Sequence, residues 1–248
     1  DATLLCLGVV TMVLGVFGAI THSDVRRILA FHVIGSIGFM LLGLGLGSAL
    51  AMGAAIFYMM HGILIMALLF MIVGIVGKLG GSFELSKLGG LYQERPGFAI
   101  LFLLAALSLI GIPPLSGFWA KLLIIESGLH HDASVVIIFV VLVSLLTFIP
   151  LVRIWSEAFW KPQPLKAEIP AQQPSSDNSD EPWVMPPTMH AWVPVLGLSM
   201  IMLLIGFFPS KIIEMSDTAA KSLIAPNAYL DTVLPDRAAK PSLEVQKQ

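Results

Sequence analysis

The sequence predicts an all-α membrane protein, a polytopic helix bundle in which one span is broken in its middle. Three observations carry this. Of 248 residues, 56% are hydrophobic and only 12% are charged. Soluble domains have about 25% charged residues, so this chain cannot clothe its exterior for water, and lipid must be the solvent for much of it. The apolar residues also fall into six segments, each near or above the roughly 20 residues that a helix needs to cross a bilayer. Finally, the fourth segment carries Pro113 and Pro114 in its interior. These withdraw two backbone donors and forbid a continuous helical ladder.

The first segment covers residues 3–21 and the second 28–46. Between them lies the polar knot His22-Ser23-Asp24-Val25-Arg26-Arg27, in which Ser23 or Asp24 supplies an N-cap for the second helix. A glycine-rich turn over residues 43–53 leads into the third segment, 49–76. A polar connection, 78–96, precedes the broken fourth segment, 98–127, where Gly111 and Gly117 let the chain bend beside the prolines. The fifth segment runs over 134–159 and the sixth over 192–208. Residues 161–188 are dense in Pro, Ser, Gln, Asp and Glu and read as a flexible polar cytoplasmic loop. The organisation expected is therefore five spans in 1–160, a loop in 161–188, a last transmembrane helix in 189–209, and an amphipathic, then polar, tail in 210–248.

Orientation follows from the positive charges. Arg26, Arg27, Lys78, Lys87, Arg95, Lys161 and Lys166 fall in connections on one side. The turn at 43–53 and the connection at 130–133 contain no Lys or Arg. The positive-inside rule makes the first side cytoplasmic, and an even number of spans places both ends of the chain on the other.

Composition also excludes some functions. A net charge of −2 gives no case for nucleic acid, and the single cysteine, Cys6, cannot form an internal disulfide. There is no phosphate-cradling G-x-x-x-x-G-K-[ST] loop, no C-x-x-C and no H-E-x-x-H, so neither an ATP-driven pump nor a membrane protease is indicated.

Lys121 is the first candidate for chemistry. It follows Pro113-Pro114-Leu115-Ser116-Gly117 inside an apolar segment, and placing an ammonium there costs at least ~2.5 kcal/mol on insertion scales. Broken helices at membrane depth are tolerated only where protein or water surrounds them, and a buried lysine is a natural proton carrier. A lysine that merely snorkels to the headgroups is the plain reading, and the proline break weighs against it. His61, in the middle of the third segment, is suited to relay protons or to bond a carbonyl or serine across a helix interface. No second His, Cys, Asp or Glu stands at i+3 or i+4 from it, so no metal site is expected there. Asp24 and Arg26, with His32 one turn into the second segment, form either a polar entry or a charged loop. Glu126 and Asp132 mark a pathway mouth or the membrane interface. Arg153 and Glu157, spaced i,i+4, are expected to form an ion pair.

Three ordered motifs then resemble a known family. They are Asp24-Val-Arg-Arg-Ile-Leu-Ala-Phe-His32 through Gly38; His61 through Ala67-Leu-Leu-Phe70; and Gly111-Ile-Pro-Pro-Leu-Ser-Gly-Phe-Trp-Ala-Lys121. They are similar to the proton-translocating antiporter-like subunits of respiratory complex I, membrane-bound hydrogenases and the multisubunit Mrp cation/proton antiporters. Within that superfamily, Gly117-Phe-Trp-Ala-Lys-Leu122 and Phe83-Glu-Leu-Ser-Lys-Leu-Gly-Gly-Leu91 look most like the D-type subunits of Mrp antiporters. The resemblance implies the second of two inverted repeats, with one broken helix plus C-terminal helices, so that Asp1 reads as the start of a C-terminal portion of a longer subunit.

It further implies a secondary monovalent cation/proton antiporter of the bacterial inner (plasma) membrane, with Na⁺ and H⁺ as transported ions and other Mrp antiporter subunits as partners. No enzyme activity, cofactor or resident metal is implied. Lys121 would be the exit-side proton carrier, with Arg26 and His61 linking two half-channels. The sequence departs from the pattern at Met66, or at Ile65 under the other spacing of the motif, where a lysine is usual, and at Arg26, which does not deprotonate. An antiporter-like subunit of an electron-transfer complex, and a structural subunit without transport, are the alternatives.

Overall fold

The computed structural model describes residues 1–162 and 189–224, all helix and connections. The first three segments form long helices: α1, Ala2–Thr21; α2, Val25–Leu46; and α3, Ala49–Gly80. A short helix α4, Leu91–Glu94, leads into the two halves of the broken span, α5, Pro96–Ile110, and α6, Ser116–His130. The fifth segment is α7, Ser134–Leu146, and α8, Phe148–Ile154, continued by a π-helical turn over Trp155–Trp160. The last two are α9, Met189–Phe207, and α10, Ser210–Ile224. Of the loop expected over 161–188, residues 163–188 lie outside the described residues, as does the tail beyond residue 224.

The helices start and stop where local chemistry dictates. Asp24 rather than Ser23 caps α2, its carboxylate accepting from Arg26 N at 2.9 Å. Ser48 caps α3 through Ala51 N. The bend between α9 and α10 is 83°, so α10 turns aside from the axis of α9 and packs against the start of α3, where Asp217 lies over Gly53.

The α3 helix is the spine. Its buried residues belong to both apolar clusters: Ile65, Leu68, Leu69 and Ile72 to one, Phe57 and Tyr58 to the other. Meanwhile Leu7, Leu14 and Phe17 of α1, and Val135, Ile138 and Leu145 of α7, are exposed. Such a surface is ruinous in water and ordinary against lipid or a partner helix.

Close packing of α1 on α2 depends on small residues, as membrane interfaces do. A Cβ on Gly15 would lie 2.5 Å from Gly35 N and 2.6 Å from its Cα, and backbone cannot yield as a side chain can.

One end of the bundle gathers the positive connections. Val25 N donates to Phe83 O and Leu85 N to Ser23 O, pairing the α1–α2 turn with the 83–85 stretch, while Gly90 N donates to Lys161 O. Here the expected Arg153–Glu157 pair fails to form. The π turn beginning at Trp155 takes residues 153 and 157 off a common helical face. Glu157 instead meets Lys161 at 3.1 Å, and Arg153 donates to Ile20 O, His22 O and Ser23 Oγ, holding the end of α1.

Two outcomes follow. Gly15→Ala is expected to cost about 1–3 kcal/mol by overpacking, whereas Gly74→Ala, with nothing within 4 Å of its added Cβ, is neutral or mildly stabilising. Unfolding midpoints of the protein in lipid nanodiscs check the contrast. The Arg26 guanidinium hydrogen-bonded to Asp24 holds its carboxyl below the usual carboxylate value. The cap's contribution is therefore complete above about pH 4 and is lost as pH falls through the lowered value. Asp24→Ala should cost about 1 kcal/mol at neutral pH and nothing in strong acid, read from the same midpoints.

Candidate functional site

The break in the fourth span makes the site. At Ile110 the chain stops being helical: Gly111 takes φ +96°, a conformation that only glycine adopts without strain. Its N–H turns back to Leu107 O and Ser108 O. The peptide between Pro113 and Pro114 is cis. The carbonyl of Ile110 is thus one of the orphan acceptors that every helix C-terminus presents, at the negative end of the α5 dipole.

Lys121, five residues into α6, reaches back across the break and donates from Nζ to Ile110 O at 2.7 Å. The same nitrogen stands 5.7 Å from the centroid of the Phe39 ring, within cation–π range. Only 7% of Lys121 is exposed. Its stem runs beside Gly111, where a Cβ would meet Lys121 Cδ at 3.0 Å. One glycine therefore serves the turn and the passage of the lysine.

His61 approaches the break from α3. Its Nδ1 shares a hydrogen bond of 3.0 Å with Ser116 Oγ at the start of α6, and Ser116 Oγ lies 3.1 Å from Ser108 Oγ in the last turn of α5. All three are buried, and they join both edges of the break to the spine helix. Gly117 is needed here for close approach rather than for bending, since an added Cβ would run into the Ser108 carbonyl and stand 3.1 Å from His61 Cε1. The α9 helix closes the far side: Trp119 Nε1 donates to Gly206 O at 2.9 Å, and a Cβ on Gly206 would sit 2.7 Å from Pro114 O.

A cavity of about 20 Å³ adjoins Lys121, lined also by His32, Ser36, Phe39, Tyr58 and Thr147. His32 therefore joins the buried constellation from α2.

The remaining expected residues do not. Arg26 is 56% exposed in its side chain, paired with Asp24 at 2.7 Å and laid over the Phe83 ring at 4.1 Å, so both sit on the charged rim. Glu126 is exposed near the end of α6. Met66 lies in the apolar cluster with Ile65 and Leu69. Among the described residues no three His, Cys, Asp or Glu side chains stand together as a metal site.

Sequence reasoning passed over Ser108, Ser116 and Tyr58. Ser108 is the one polar side chain of α5, and Tyr58 stands three residues before His61, its ring edge-on to the imidazole at 6.1 Å. Both were faint signals in plain view.

Comparison with known proteins agrees with this architecture. The family model described as NADH:quinone oxidoreductase/Mrp antiporter, transmembrane, matches residues 1–147. The D subunit of the Na⁺/H⁺ antiporter of Alkalihalophilus pseudofirmus is 32% identical over 231 residues, 93% of this chain and 44% of that protein. A chain in the structure of the Mrp complex from Dietzia sp. DQ12-45-1b superposes with a TM-score of 0.78 at 32% identity, over 93% of this chain and 49% of that one. Respiratory complex I from Thermus thermophilus contains a chain that superposes with a TM-score of 0.63 at 25% identity, over 86% of this chain and 45% of that one. The chain thus spans less than half the length of the relatives it matches. With its matched helices and its broken span accounted for, it belongs to the NADH:quinone oxidoreductase/Mrp antiporter transmembrane family.

Proposed function

We propose that this chain forms one proton half-channel of a monovalent cation/proton antiporter subunit, working with other Mrp-type subunits in a bacterial plasma membrane. The observation that carries the reading is the buried ammonium of Lys121, held on the free carbonyl of Ile110 across the helix break. A lysine this far from water is costly unless its charge is held or its proton is exchanged. The site offers both. Ile110 O and the Phe39 ring stabilise the charged form, and His61, Ser116 and Ser108 form a hydrogen-bonded file at the same break. Imidazole and hydroxyl groups both give and accept protons in turn.

In this reading Lys121 takes up and releases the proton, and His61 relays it on the α3 side. Asp24 and Arg26 lie at the charged cytoplasmic rim, and Glu126 at the opposite mouth. With Met66 and Ile65 apolar on α3, the relay past His61 depends on hydroxyls and water. The chain is a transporter subunit rather than an enzyme. The D subunit of the A. pseudofirmus Na⁺/H⁺ antiporter and the Mrp complex chain support the antiporter assignment through 32% identity to each.

The likeness to T. thermophilus complex I favours a second reading, the same channel driven by electron transfer. Co-purification with iron–sulfur subunits would decide for it.

In the intact complex, reconstituted in vesicles with a pH-sensitive dye, Lys121→Ala is expected to slow cation-dependent proton exchange about a hundredfold. Lys121→Arg should fail as well, because it keeps the charge but cannot release a proton. Exchange at the unaltered rate in Lys121→Ala removes the assignment. Gly111→Ala should also impair exchange, by straining the turn and pushing Lys121 off Ile110 O. A Gly111→Ala complex that exchanges normally would show the positioning to be dispensable.

A further inference from the structure

Proton transfer from Lys121 toward His61 leaves His32 idle, yet the structure gives His32 an unusual position. It is 6% exposed, and its Nε2 is the one buried side-chain nitrogen or oxygen without a hydrogen-bond partner among the described residues. Leaving such an atom unpaired costs about 1–3 kcal/mol, so it calls for a partner that is not a protein side chain. The cavity of about 20 Å³ lies beside it, and a cavity of roughly 10–15 Å³ on this measure already holds one water. The wall is polar enough to keep one, with Ser36, Tyr58 and Thr147 alongside His32. Lys121 lines the same cavity, and so does Phe39, over whose ring the Lys121 nitrogen stands. The ammonium has three N–H donors, and Ile110 O uses one.

We infer that one bound water in this cavity bridges Lys121 Nζ and His32 Nε2, making His32 a second proton partner of Lys121. With His32 in the tautomer protonated on Nδ1, the step balances. Lys121 gives an N–H proton to the water, and the water gives one of its own to His32 Nε2, leaving a neutral amine and an imidazolium with the total charge unchanged. The direction differs from the His61 file. His32 lies on α2, eight residues from Asp24 and so about 12 Å along the helix from the charged rim. His61 instead ties the break to α3. Lys121 is thereby the point where two relays meet, one through α3 and one through α2. This rests on the proton-carrying reading of Lys121.

Imaging of the intact complex at a resolution that shows ordered water is expected to reveal one water about 2.7–3.2 Å from both nitrogens. That measurement uses the unaltered protein, so it decides even where a variant fails to assemble. In vesicles, His32→Leu and His32→Gln should each slow cation-dependent proton exchange about tenfold or more. Leucine removes the water's partner, and glutamine binds the water but does not carry its proton. A site without water overturns the proposal. So does full exchange in His32→Leu, or full rescue by His32→Gln, which would reduce His32 to a structural role. These failures leave Lys121 untouched, because its own reading stands on Lys121→Ala.

Discussion

One contact organises the centre of this molecule: the ammonium of Lys121 on the carbonyl of Ile110. A charge at membrane depth is tolerated only with a partner of opposite polarity, and apolar segments offer none but their own backbone. A continuous helix keeps its interior carbonyls occupied. Breaking it at Gly111 to Pro114 releases the last acceptors of α5 where Lys121 can reach them. The break and the lysine are therefore a single device, since each would be expensive without the other.

The surrounding structure reads as support for that device. The spine helix α3 brings His61 to Ser116 and Ser108. Gly117 allows α6 to lie against the Ser108 carbonyl, and α9 presses Gly206 onto Pro114 and holds Trp119. At the opposite level, Arg153 fastens the end of α1, and Asp24 caps α2. The bundle is thus tied at its charged rim and again at the break. The helices between those levels meet through small residues and apolar side chains, interactions that allow rearrangement without breaking charge pairs.

Much of this was legible in the sequence. The apolar segments and the double proline pointed to the helices and to the break between α5 and α6, and the three motifs pointed to the family that the comparisons then showed. His61 was visible because an imidazole stands out among methionines and leucines. What stayed hidden depended on three-dimensional register. Nothing in the spacing of Arg153 and Glu157 announces the π turn that separates them. Glycine at 117 looked like a hinge, but only the packed structure shows it as a point of contact. The hydroxyls of Ser108 and Ser116 are eight residues apart in the chain and meet only because the break folds one half-helix against the other. His32 looked like an extension of the charged knot, and it is instead a wall of the Lys121 cavity, because α2 starts at Val25 and carries it two turns inward.

The central claim is that the amine at position 121 itself gains and loses the transported proton. It is tested most directly by replacing Lys121 with thialysine, an isosteric but less basic amine, in the reconstituted complex, and recording exchange against pH. If the amine titrates during transport, exchange is retained and its pH profile moves to lower pH. A profile that stays in place would contradict the account and reduce Lys121 to a fixed charge bracing the helix break.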